Sequence, residues 1–152
     1  MIHALFSAYA ATPLSQFIRH SSWAFAITEM FHLMALSLLG GALLIAVMGV
    51  SGIALVFGDR AGAWRGLRRL IVWAFAAAVV TGFLMVGTNP LKYFFNDSFR
   101  IKMLLLGLAL VLTLATDAIL RSRHATAARI MAPLSLILWL GVALAGRLIG
   151  FL

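Results

Sequence analysis

Cysteine is missing from the chain altogether, which excludes disulfides, thiolate metal sites and cysteine-ligated iron–sulfur clusters. Acid is nearly missing too: four Asp and Glu stand against twelve Lys and Arg, and charged residues make up only 11% of the total. A soluble domain carries about a quarter charged residues. That shortage, with 64% hydrophobic residues and a mean hydropathy of +1.08, excludes an ordinary cytosolic enzyme, a disordered tail and a secreted disulfide scaffold. No Walker loop, dinucleotide fingerprint or Ser/His/Asp set is present, so neither a hydrolase nor a nucleotide-driven pump is expected, and no enzymatic activity is assigned. What remains is one integral membrane domain of 152 residues.

The net charge of +8 does not point to nucleic acid. Most of the basic residues flank long apolar runs, where membrane orientation and anionic headgroups account for them. The lipid bilayer is the expected partner.

About 20 helical residues cross the hydrocarbon, and four runs are long enough: residues 23–57, 70–88, 99–120 and 130–152. The expected fold is all-α, a four-helix transmembrane bundle preceded by a short interfacial helix over residues 1–20, with Thr12 and Ser15 as its caps. Asn96, Asp97 and Ser98 suit the start of the third span, and Pro133 suits the first turn of the fourth. The first run would be about 52 Å long as one helix. It therefore either protrudes, which is the preferred expectation, or breaks near Gly49 to Gly52.

Orientation follows from the connections. Those after the first and third spans hold seven Arg and Lys, against five on the other side, which puts both termini outside a bacterial inner membrane. Small residues mark where helices can approach: Ala74, Ala78 and Gly82 in the second span, and a GxxxG from Gly146 to Gly150 in the fourth. The latter serves either packing within the chain or a homodimer.

An ionisable residue inside the hydrocarbon is costly, so each one is a functional candidate. Glu29 and His32 lie three apart in the first span and share a helix face. Counted from Trp23, His32 is about 14 Å deep, near the bilayer centre. Thr81, Arg100, Lys102, Arg147 and Tyr93 fall in the same outer half, with His20 just outside it, whereas Asp117 and Arg129 form an expected inner pair. Glu29 with His32 makes one E-x-x-H; a diiron bundle needs two and further glutamates, so that centre is excluded within one chain. Imidazole suits haem iron or copper, with methionine favouring copper(I). Three roles stay open for His32: a metal or haem ligand, a proton carrier, or polar glue bonded across to Thr81 while Glu29 pairs with Lys102 or Arg147. His3 with His20 makes a candidate surface site for haem or copper at the outer face, separate from His32.

The series Trp23, Glu29, His32, Gly40-Gly41, then Thr81-Gly82, Asn89-Pro90, Tyr93, Asn96, Phe99 and Lys102 resembles a family of small uncharacterised bacterial four-helix membrane proteins. More distantly, the histidine-bearing first helix is similar to CopD-type copper-resistance proteins and to small cytochrome b-type bundles. These likenesses imply haem or copper ahead of other metals. The leading expectation is therefore a b-type haem redox protein, with His32 as axial ligand, Glu29 tuning it, and His20, Tyr93, Lys102 and Arg147 around the cofactor. The alternatives are copper handling through His3, His20 and His32, and an accessory subunit of a larger membrane complex.

Overall fold

In the computed structural model, residues 2–53, 60–122 and 125–149 are described. They are helical between short turns, with no strand among them. Two short helices, α1 (Ile2–Ala10) and α2 (Pro13–His20), precede α3 (Ser22–Ser51). Then come α4 (Arg60–Val86), the short α5 (Pro90–Phe95), α6 (Asp97–Arg121) and α7 (Ala125–Leu148). The helices α3, α4, α6 and α7 are each long and apolar enough to cross a membrane.

These four alternate in direction, so α1, α2, α5 and the last turn of α7 gather at one end of the bundle, here the capped end. The opposite one is the far end. α3 packs along α4, and α6 along α7; α3 against α7 joins the two hairpins, while α4 and α6 touch only slightly.

Local chemistry explains most boundaries. Thr12, Ser21 and Asn96 each accept a backbone N–H in the first turn of α2, α3 and α6, respectively. The expected single N-terminal helix is two, because Thr12 caps and Pro13 starts a new helix. α3 stops at Gly52, whose φ of 81° is left-handed and whose neighbour Ile53 bonds back to the Met48 carbonyl. The helix thus ends within the stretch where the sequence could break; its 30 residues still span about 45 Å, and residue 57 lies outside the described residues. α4 starts about ten residues before the apolar run does, so Arg65, Arg68 and Arg69 belong to the helix and not to a loop. Pro133 sits in the interior of α7 rather than its first turn, since Ala125 already begins the helix. It leaves the Arg129 carbonyl without its usual intrahelical donor, which membrane helices tolerate.

The core lies toward the far end. Leu39, Leu43, Ala46 and Val50 of α3 are almost fully buried, against Trp64 and Ile71 of α4, Ala109 of α6 and Ala132 of α7. Trp139 crosses the middle, donating to Thr113 Oγ1 at 3.0 Å and meeting Phe75 edge-on at 5.8 Å. At the far end Trp64 Nε1 donates to Asp117 at 3.0 Å, and Arg121 reaches the same carboxylate at 2.7 Å. Asp117 therefore pairs with Arg121 and not with Arg129, because the i,i+4 spacing on α6 puts Arg121 one turn away.

Candidate functional site

His32 is the only histidine in a transmembrane helix among the described residues. Its Nδ1 lies 2.9 Å from Thr81 Oγ1 on α4. The Thr81 hydroxyl in turn donates to the Ala77 carbonyl at 2.7 Å. With its hydrogen so used, the Thr81 oxygen is placed to accept from Nδ1–H, the tautomer in which Nε2 carries the lone pair. Directly after Thr81, Gly82 clears the ring: a Cβ there would stand 3.2 Å from His32 Cε1.

A second polar side chain is seated in the same way. Lys102 of α6 lies over α7 at Gly146, where a Cβ would come within 3.3 Å of its Nζ. The ammonium is close enough to act electrostatically on the His32 imidazole. Two glycines from the small-residue rows thus make space for polar heads as well as for helix packing. Only the three-dimensional arrangement reveals that, because the same glycines fit a simple packing role in sequence.

The layer is shallower than a count along α3 suggests. His32 is ten residues from Ser22, but Thr81 is five from Val86 and Lys102 five from Asp97. The pair therefore sits about 8 Å inside the capped ends of α4 and α6, while the first turns of α3 extend beyond them beside α2.

Glu29 is exposed and forms no ion pair with Lys102. Its carboxylate acts instead on Tyr93 of α5. Burial is the main cause that raises the Tyr93 phenol above its ordinary value; the Thr88 hydroxyl offsets part of this, and Glu29 adds to it. Tyr93 also meets Phe99 edge-on at 5.5 Å. Arg147 is exposed in the last turn of α7, and Arg100 pairs with Asp97 at 3.4 Å.

His20 is exposed at the end of α2, before α3 begins. About 15 Å of helical rise separates Ser22 from His32, so His20 is not brought to the imidazole. His3 lies in α1, but its side chain is outside the described ones, as are Gly150 and His124. Among the described residues, no three His, Asp or Glu side chains gather as a metal site.

The sequence carried no signal for how α1 and α2 dock. Tyr9 donates to the Phe83 carbonyl at 3.0 Å and stacks on its ring at 4.5 Å, and Ser15 donates to the Gly87 carbonyl. These two hydroxyls hold α1 and α2 against the C-terminal end of α4, where the Phe83 carbonyl also accepts from the Gly87 N–H. Burial raises the Tyr9 phenol as well.

A family of unknown function, DUF6644, matches residues 6–152. The chain belongs to that family. Neither a curated protein nor a solved structure matches it. As a DUF6644 member it is matched over almost its full length, a range that takes in all four spans. The likeness to CopD-type and cytochrome b-type proteins has no counterpart in these comparisons.

Proposed function

We propose that this DUF6644 protein is a redox protein of the bacterial inner membrane that holds haem b through His32, with both termini on the outer side. One observation carries the reading: the imidazole is tethered at Nδ1, 2.9 Å from Thr81 Oγ1, which would leave Nε2 to serve as the ligating atom. A hydrogen bond at the second ring nitrogen is what a ligating histidine uses to set its tautomer and orientation. The residues fit such a group on two further counts. Lys102, seated at Gly146, is near enough to the ring to act on it electrostatically and would suit a propionate. The capped half of α3, residues 22–34, has no fully buried residue, so much of its apolar surface is not covered by other helices and could meet a macrocycle.

When bound, haem b supplies a reversible one-electron iron couple. Thr81 holds the ring, Gly82 keeps its approach clear, and Lys102 with Arg147 balances negative charge. The arginine-rich far end supports the orientation.

A second reading has its own support. The His32–Thr81 bond ties α3 to α4 whether or not a cofactor binds, as polar glue would in an accessory subunit. Copper handling has less, since His20 and His32 are apart. The deciding experiment is a reduced-minus-oxidised visible spectrum of detergent-purified protein, with pyridine haemochrome quantification. A Soret and a sharp alpha band near one haem per chain, lost in His32→Ala, are expected. A flat spectrum from haem-replete cells overturns the haem reading and leaves co-purifying subunits as the next search.

A further inference from the structure

Arginines collect at one level of the far end. About 20 helical residues cross the hydrocarbon; counted from the capped ends of α4, α6 and α7, that length reaches the neighbourhood of Leu67, Asp117 and Arg129. Arg65, Arg68 and Arg121 thus stand at headgroup height, and all three are exposed. Nearby, Asp117 is engaged by Trp64 and by Arg121 through Nε and Nη2 at 3.1 and 2.7 Å.

Helical geometry sorts these residues further. At 100° per residue, Arg68 follows Trp64 by one turn on the side of α4 that meets α6. Arg121 follows Asp117 by one turn on the side of α6 that meets α4. Arg69 projects about 100° further round α4, away from α6, and Arg129 belongs to α7. The α4–α6 seam is also where neighbouring spans touch only slightly, and exposed Val72 and Val79 of α4 run along it.

We propose that the α4–α6 seam binds an anionic phospholipid at the far end, with its phosphate on Arg68 and Arg121 and an acyl chain along the valines. Arg68 and Arg121 against the single carboxylate of Asp117 leave a surplus of positive charge at the seam, which a headgroup phosphate complements. Surface attraction at a bilayer is worth about fivefold in binding per arginine.

The test is native mass spectrometry of the full chain in a neutral detergent, titrated with phosphatidylglycerol or phosphatidylcholine. Preferential retention of phosphatidylglycerol is expected. Arg68→Gln should weaken it about fivefold, Arg68→Lys should retain most of it, and Arg69→Gln and Arg129→Gln should leave it intact. The proposal is overturned by equal retention of the two lipids, or by equal losses in Arg68→Gln, Arg69→Gln and Arg129→Gln, which would mean a diffuse field. Displacement by millimolar inorganic phosphate would also overturn it, assigning the seam to a free anion. An unchanged melting temperature of Arg68→Gln in lipid-free detergent separates lost binding from lost folding.

Discussion

The two ends of one helix behave as different proteins. In its far half α3 buries Leu39, Leu43, Ala46, Val47 and Val50 against three neighbours, whereas from Ser22 to Met34 it buries nothing fully. Composition does not explain the contrast, since Ile27, Phe31 and Leu33 are as apolar as anything in the far half, yet they are 50%, 52% and 56% exposed. Packing explains it. Small side chains on α4 and α7 (Ala74, Ala78, Ala128, Ala132) let backbones close around α3 toward the far end. At the capped end, polar side chains occupy the same layer, and α1, α2 and α5 close the bundle from above. The far half is tightly packed, and the capped half of α3 is not.

That contrast is broken most directly in the core. Leu43→Ala removes a side chain with 0% exposure and should cost about 2–5 kcal/mol, read as a lowered unfolding midpoint. Leu33→Ala on the same helix, at 56% exposure, should stay within about 0.5 kcal/mol. Equal effects would show that the two halves are equally packed.

Next in size is Asp117→Ala, which removes the acceptor of both Trp64 Nε1 and Arg121. The Asp117 side chain is 23% exposed, so water offsets part of the loss and about 1–3 kcal/mol is expected. His32→Ala is its counterpart in the other half. Thr81 keeps its bond to Ala77, so stability should fall by about 1 kcal/mol or less, while the haem spectrum disappears. A large stability loss with no spectral signal in wild type would instead make His32 glue.

The glycine seats sharpen the comparison within the capped half. Gly82→Ala places a methyl 3.2 Å from a ring held at Nδ1, whereas Gly146→Ala meets the flexible end of Lys102 at 3.3 Å. Haem occupancy should drop in the first and change little in the second. Equal occupancies in both would show that the ring has freedom to move.

How much of this was legible beforehand differs by element. The spans were, because length and hydropathy are local properties, and so was the cap at Asn96. His32 and Thr81 were each visible as polar residues in an apolar run, and their bond was one of the open readings. Their depth was not, because it depends on how far α3 slides past α4. The Asp117–Arg121 pair follows from spacing on one helix, but Trp64 as third partner needed two helices in register. Tyr9 and Ser15 could not be found as carbonyl acceptors' partners from sequence, since nothing local links α1 to α4.

The smallest effect is expected from pH. The Tyr9 and Tyr93 phenols are both raised by burial, so the folded state holds these protons more tightly than the unfolded chain. Their contribution is complete below the ordinary tyrosine value and is lost as pH rises through the raised values. Ultraviolet titration should show tyrosinate forming above pH 10, with α1 exchanging its amides faster there while the far-half core stays protected. Tyrosinate appearing at or below pH 10 would contradict the buried phenols.

By itself the sequence determined that this chain crosses a membrane four times with its charges gathered at the span ends. Hydrophobic transfer and backbone hydrogen bonding act along the chain and need no partner to be read. Only the tertiary structure decided which half of the bundle is tightly packed, how deep His32 lies, and that Gly82 and Gly146 seat polar side chains. Those properties depend on the relative slide and rotation of packed helices, and small residues permit several registers where a single sequence names none.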